Sequence, residues 1–236
     1  MADPIVFLPA MMCDARQFWP QIVAFSPTRA VHVAPLTSAS TVGALAASVL
    51  NGAPRRFAVV GTGLGGVVAM EVVRRAPERV TRVALISTTH VPETPQRASE
   101  REPQIILART GRLDQVIKDQ LAQGYLAAGA GRGDIRHLLL DMAANLGVDA
   151  FVSQCRAMQR RPDQQTTLRG LRVPILLVAG AEDRISPVKD HEFMAKLIPD
   201  ARLEIVAGAG HLPGLEQAET VNGLLDDWLD APLVLR

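Results

Sequence analysis

The sequence predicts a doubly wound α/β fold, in which a mostly parallel β-sheet is covered by helices on both faces. Two observations carry this prediction: short apolar, often β-branched runs recur along the chain, and segments with helical spacing separate them. Most of the runs are continuous rather than alternating, which is typical of strands buried on both faces of a parallel sheet. Strand, helix and strand in alternation indicate the α/β class.

Each predicted element rests on one of these two patterns. The first apolar run, residues 5–8, has no polar position, and the last helix repeats apolar residues on one face at Leu215, Val221, Leu225 and Trp228. In chain order, the patterns predict strands at 5–8, 30–33, 57–60, 83–86, 175–178 and 203–206, and helices at 15–25, 41–51, 65–76, 187–198 and 214–230.

The alternation stops between the fourth and fifth predicted strands. Helical apolar spacing recurs there at 107–126, 135–146 and 151–158, with Gly and Pro breaks between the patterns. We therefore predict that residues 1–87 and 172–236 form an α/β core and that residues 88–171 form a helical cap insertion. The alternative is that this segment is simply a further part of the core.

Composition narrows the classes of protein. The 236 residues fit one large domain or a core with an insertion, and a 48% hydrophobic content suffices for a sizeable core. A formal charge of +1 gives no field that would attract nucleic acid or an anionic membrane, so neither partner is predicted. The first residues lack a signal-peptide pattern, and no apolar run approaches the roughly 18 residues of a membrane span. We expect a cytoplasmic protein whose two cysteines, Cys13 and Cys155, are buried free thiols.

A glycine-rich turn is the most informative segment. The third predicted strand runs directly into Gly61, Gly63 and Gly66 and then into a helix. These glycines match a dinucleotide-binding fingerprint, but that motif usually follows the first strand and needs an acidic residue about 20 positions on, which is absent here. The other mechanism is a nucleophile elbow, in which the residue between two glycines is held in a strained conformation above the sheet.

With three further loops, the elbow gives the chain a resemblance to a known family. Residues 7–19 resemble the first βα loop of the α/β-hydrolase fold superfamily, residues 177–187 its acid-bearing loop, and residues 207–213 its histidine-bearing loop. The chain is most similar to the small esterase-like and lactonase-like members, over nearly its whole length. The resemblance implies a hydrolase with a small, largely hydrophobic acyl substrate and with neither a metal nor another cofactor. Oligomeric state is left open.

The resemblance also implies which residues form the site. Position 63 is the nucleophile position, Asp183 the acid and His211 the histidine, in the order that such hydrolases show. The backbone N–H groups of Met11 and Leu64 are implied as donors to a substrate oxyanion. All these loops follow strands and meet at the carboxyl edge of a parallel sheet, where α/β folds place their sites.

The sequence departs from the family at the nucleophile itself. Gly63 carries no hydroxyl or thiol, and Thr62 precedes it where histidine is usual, so a serine-type acyl-enzyme route is closed. Glycine relieves the backbone strain of the elbow, which costs other residues about 1–3 kcal/mol. Cys13 and Ser87 are weak candidates for a replacement nucleophile. Local alternatives are that Asp183 caps the following helix and that His211 only makes a backbone hydrogen bond.

Three functional hypotheses follow. The first is a hydrolase of small carboxylic esters, lactones or related acyl compounds that is seen here without its nucleophile. The second is a general-base enzyme in which Asp183 and His211 act without serine, in direct hydrolysis, a lyase or cyclase step, or cofactor-free oxygen chemistry. The third is a catalytically silent protein that binds a small molecule, against which the retention of Asp183 and His211 argues.

Overall fold

A computed structural model describes residues 2–129 and 131–232 of the chain. Six strands form one sheet in the order β2-β1-β3-β4-β5-β6, and every neighbouring pair is parallel. The predicted α/β class is therefore confirmed. The strands are β1 (Ile5–Leu8), β2 (Val31–Val33), β3 (Phe57–Thr62), β4 (Val80–Ile86), β5 (Ile175–Gly180) and β6 (Arg202–Val206).

Helices cover both faces of this sheet. Successive strand residues point to opposite sides, so that both faces carry apolar side chains that a helix layer can bury. On β3, Val59 packs into one apolar cluster and Val60 into the other. The helices are α1 (Trp19–Phe25), α2 (Val42–Gly52), α3 (Leu64–Arg75), α4 (Pro95–Leu107), α5 (Leu113–Ala122), α6 (Arg132–Gln159), α7 (Gln165–Arg169), α8 (Val188–Leu197), α9 (Pro213–Glu216) and α10 (Ala218–Asp230). The first cluster takes residues from α2, α3 and α8, and the second from α1 and α10.

Helices α4 to α7 lie in the helical segment, residues 88–171. A third apolar cluster joins residues of α4, α5 and α6 to Ala10, Met12 and Cys13, which follow β1, and to Leu212, which precedes α9. The segment therefore lies over the carboxyl edge of the sheet, where the loops after β1 and β6 emerge. Its division from the rest of the chain as a cap domain stays a prediction.

The structure differs from the predicted helices at four places, three of them in the helical segment. The pattern at 107–126 is not one helix, because the chain changes direction at Gly111, with φ of 83°, before α5 begins. The patterns at 135–146 and 151–158 join in α6, which is bent at Gly147. Helix α4 is a polar helix in which only Ile105 is buried, so no apolar repeat marks it in the sequence.

The last predicted helix is also divided, because Gln217 leaves helical geometry between α9 and α10. Within the described residues, no helix is both long enough and apolar enough to cross a membrane.

Candidate active site

The turn from β3 into α3 has the geometry of a tight elbow. Gly63 has φ of 55° and ψ of −116°, a region that residues with a side chain rarely adopt. A Cβ atom on Gly65 would overlap the carbonyl oxygen of Leu8, so glycine is required there for α3 to approach β1. The glycines of the motif thus serve a strained turn and a close helix–strand contact.

Hydrogen bonds from neighbouring elements hold the elbow in place. The amide of Gly63 donates to the carbonyl of Ile86 over 3.0 Å, and the hydroxyl of Thr88 donates to the carbonyl of Gly63 over 2.7 Å. The amide of Thr88 in turn donates to Nε2 of His191 over 3.1 Å. These bonds connect the elbow through the end of β4 to helix α8.

His191 is a fully buried, neutral residue in this arrangement. Its Nε2 accepts from Thr88, and its Nδ1 lies 3.4 Å from the carbonyl oxygen of Pro187, which assigns the proton to Nδ1. Burial lowers the pKa of His191, although Pro187 and Asp183 oppose the change. This role could not be predicted from the sequence, because a helical histidine is ordinarily a surface or internally satisfied residue.

Asp183 and His211 form a buried pair. Nδ1 of His211 lies 2.9 Å from Oδ2 of Asp183, whose side chain has no exposed surface. Oδ1 of Asp183 accepts the amides of Ile185 and Ser186 at 2.8 and 2.9 Å. Burial acts to raise the pKa of Asp183, but His211 and the donated hydrogen bonds outweigh it, so that the net shift is downward. The capping alternative for Asp183 is wrong, because Pro187 precedes α8 with no side-chain cap.

The imidazole of His211 faces the elbow. A Cβ atom built on Gly63 would lie 3.1 Å from Nε2 of His211 and 3.3 Å from Cβ of Ala10. The structure therefore brings positions 63, 183 and 211 together, although they come from three separate loops. A side chain at position 63 would point at the imidazole nitrogen that Asp183 does not use.

A buried carboxylate holds the histidine loop on both sides of His211. Oε1 of Glu216 accepts the amides of Gly210 and Leu212 at 3.0 and 3.1 Å. Its Oε2 accepts the amide of Ala127 at 2.8 Å and lies 3.3 Å from Nε of Arg132. Glu216 therefore joins the histidine loop to the helical segment. No sequence pattern predicts this role, because Ala127 and Arg132 come close to Glu216 only in the folded chain.

Tyr125 adds two further contacts from the helical segment. Its carbonyl accepts the amide of His211 at 2.8 Å, and its ring meets the imidazole edge-on, with centroids 4.8 Å apart. The histidine is thus fixed by backbone bonds and by an aromatic neighbour.

A cavity of about 360 Å³ opens above the elbow. Met11, Gly63, Leu64 and His211 all line it, together with side chains of the helical segment. The Leu64 amide lies in the first turn of α3, where helical N–H groups have no partner within the helix. The Met11 amide makes no hydrogen bond to any described residue.

The two weak candidates for a replacement nucleophile lie elsewhere. Cys13 and Ser87 are buried, and neither lines the cavity. Burial raises the pKa of the Cys13 thiol far above its ordinary value, which keeps it protonated. Across residues 2–129 and 131–232, no group of His, Cys, Asp and Glu side chains could hold a metal ion.

Comparison of the sequence with known proteins adds independent findings. The sequence model of the alpha/beta hydrolase family matches residues 6–224. A pimeloyl-[acyl-carrier protein] methyl ester esterase of Aromatoleum aromaticum is 32% identical over 200 residues, which are 79% of each chain. A 2-hydroxymuconate semialdehyde hydrolase of Pseudomonas putida is 27% identical over 185 residues, covering 72% of this chain and 61% of that one.

Solved structures share the fold. A thermophilic esterase from Thermogutta terrifontis superposes with a TM-score of 0.87 at 22% identity, over 97% of this chain and 90% of its own. An enol-lactonase from Burkholderia xenovorans superposes with a TM-score of 0.86 at 21% identity, over 98% and 93%. At such identities the likeness concerns the fold alone.

Proposed function

This chain belongs to the alpha/beta hydrolase family, and we propose that it hydrolyses small carboxylic esters, lactones or related acyl compounds in the cavity above Gly63. The observation that carries the proposal is the geometry of three loops. Nε2 of His211 faces the cavity and the elbow, while Nδ1 is held 2.9 Å from Asp183. This is the arrangement of a base aimed at the place where an acyl group would react.

The reacting nucleophile in this chain would be water. Gly63 has no atom that can attack a carbonyl carbon, so the acyl-enzyme route is closed. Nε2 of His211 would take a proton from a water molecule as its oxygen attacks the carbonyl carbon. The imidazolium would then return that proton to the leaving alkoxide as the carbon–oxygen bond breaks.

Asp183 would orient and stabilise His211 without taking part in proton transfer itself. Its lowered pKa keeps it ionised at neutral pH, and it accepts a hydrogen bond from the Nδ1–H group, so that Nε2 is left unprotonated as the base. The backbone amides of Met11 and Leu64 would stabilise the charge that develops on the carbonyl oxygen. Two observations support this role: both residues line the cavity, and neither amide donates to an acceptor among the described residues.

The names of the relatives support the choice of an acyl substrate. The Aromatoleum aromaticum protein is named as a methyl ester esterase, and the Pseudomonas putida protein as a hydrolase. A second candidate is a silent binding protein. One observation favours it: glycine relieves the strain at φ of 55°, so the elbow is stable without the residue that usually performs chemistry.

Supplying the missing hydroxyl tests the proposal. We expect Gly63→Ser to hydrolyse p-nitrophenyl acetate faster than the parent chain and to show an acyl-enzyme by mass spectrometry. Gly63→Ala is the matched control, because it carries the same backbone strain and the same contact with His211 but has no hydroxyl. A folded Gly63→Ser protein with no turnover and no acyl-enzyme would contradict the hydrolase proposal and favour the binding protein.

A further inference from the structure

The wall of the cavity that faces the elbow is rich in arginine. The helical segment and the acid loop contribute four guanidinium groups and only two carboxylates to this wall. They are Arg97, Arg101, Arg161, Arg184, Glu93 and Glu100. We call Glu93, Arg97, Arg101 and Arg161 the arginine cluster.

Arg161 has an internal structural role within the cluster. Its side chain is 3% exposed, and Nη1 lies 2.9 Å from Glu93, whose own side chain is 1% exposed. Its Nε donates to the carbonyl of Val91 over 2.7 Å, and Nη1 donates to the carbonyl of Met158 over 3.2 Å. Nε and Nη1 of Arg161 therefore join the end of α6 to the loop before α4.

Arg101 is bound differently. Its Nε donates to the other oxygen of Glu93 over 2.7 Å, but Nη1 reaches only the thioether of Met11, at 3.8 Å. A second neighbour is the Cys155 thiol. Burial raises its pKa to about 11 in spite of the opposing effect of Arg101, so the sulfur is uncharged at neutral pH. Thioether and thiol sulfurs are weak acceptors. The terminal N–H groups of Arg101 thus have no strong acceptor among the described residues.

Charge in the cluster is unbalanced. One buried carboxylate, Glu93, serves both Arg101 and Arg161. Burial lowers the pKa of Arg161 and Glu93 opposes this, while the charges of Arg101 and Arg97 lower it further. The side chains of Arg161 and Arg101 are 3% and 19% exposed, and guanidinium groups held this far from water are costly unless an anion balances them. A carboxylate is the planar, bidentate partner that best fits an arginine fork.

We propose that Arg101 binds a carboxylate carried by the substrate, so that this chain prefers esters or lactones with a second, ionised carboxylate group. The inference rests on the proposed function for the reacting carbonyl. Met11 links the two groups, because it lines the cavity together with Gly63 and its sulfur lies 3.8 Å from Nη1 of Arg101. The carboxylate and the ester would therefore be separated by a short aliphatic chain. Glu93 and Arg161 position Arg101, and Arg97, which is exposed, attracts the anion from the rim.

A binding experiment on the parent chain tests this without requiring turnover. Monomethyl adipate and dimethyl adipate have the same carbon chain and differ in one charge. By calorimetry at low salt, we expect the half-ester to bind about 10- to 100-fold more tightly than the diester, as for a hydrogen bond to a charged group. Arg101→Gln should remove this difference, and Arg101→Lys should retain part of it. Arg56→Gln, an exposed arginine just before β3, should change nothing.

Two results would overturn the inference: equal affinity for the half-ester and the diester, or a half-ester preference that survives in folded Arg101→Gln protein. Arg101→Lys guards against loss of folding, because it keeps a charge beside Glu93. The outcomes also separate this inference from the proposed function. Arg101-dependent binding without turnover in Gly63→Ser would support the carboxylate site and contradict the hydrolase, whereas turnover with no charge preference would do the reverse.

Discussion

The loops at the carboxyl edge of the sheet and the helical segment build their parts of the cavity from different contacts. In the loops, buried carboxylates accept backbone amides: Asp183 takes two and Glu216 takes three. In the helical segment, side chains pair with side chains, as in the contacts of Glu93 with Arg101 and Arg161. Backbone amides have no rotamers, so the loops hold the site residues in one geometry. Long side chains can change rotamer, so the helical segment is suited to selecting a substrate.

The largest effect is expected where the loops hold the base. His211→Ala should lower turnover of a small ester about 100- to 10,000-fold, because a positioned general base contributes about that much. The affinity for an unreactive ester analogue should change little, since the base acts mainly in the transition state. Steady-state kinetics and calorimetry together check this. Unchanged turnover in folded His211→Ala protein would exclude His211 as the base.

A large loss of stability is expected where a carboxylate joins the two regions. Glu216→Ala leaves three amides without this acceptor and removes the ion pair of Arg132, 14% exposed, which then keeps only its bonds to backbone carbonyls. Breaking such a buried pair costs about 3–5 kcal/mol in free energy of unfolding. Urea unfolding of the variant measures the cost. A loss below about 1 kcal/mol would mean that the histidine loop does not depend on this carboxylate.

Lowering the pH should remove the contribution of Asp183 to the free energy of unfolding. The pKa of Asp183 is lowered in the folded state, so its stabilising contribution is present above the ordinary carboxyl pKa of about 3.9 and is lost as pH falls through the folded-state value. We expect the gap in unfolding free energy between the parent chain and Asp183→Asn to shrink as pH falls from about 5 to about 2. Urea unfolding across that range gives the gap, and a gap that widens on acidification would reverse the assigned sign.

The smallest effect is expected in the exposed part of the helical segment. Glu102 pairs with Arg156 and also accepts from Gln159, and the pair is partly exposed, with 46% of the Glu102 side chain and 31% of the Arg156 side chain open to solvent. Exposed ion pairs contribute little, because water and salt screen them. Glu102→Gln should therefore leave the free energy of unfolding unchanged within error, in contrast to Glu216→Ala. A clear loss of stability in this variant would show that the two regions do not differ as argued.

The sequence was sufficient for the sheet and for the placement of the site loops. Gly63, Asp183 and His211 each lie after a strand of the sheet, and a parallel sheet brings the carboxyl ends of its strands to one edge. It was not sufficient for Glu216, whose partner Ala127 lies 89 positions away, or for Arg101, which is 90 positions from Met11. Contacts between residues so far apart in the sequence form only when the chain folds. Helix α4 was missed for a related reason, since a polar helix shows no apolar period.

The positive φ of Gly63 has a consequence for how this protein can change by mutation. Two glycine codons become serine codons by a single base substitution, so the hydroxyl is one mutational step away wherever either is used. Glycine adopts the positive φ of the elbow without strain, and a side chain introduced at position 63 would point at His211. Random mutagenesis followed by growth selection on an ester as carbon source would therefore sample this change early. Growth of a population that gained the serine would measure how much serine-dependent ester hydrolysis the scaffold supports.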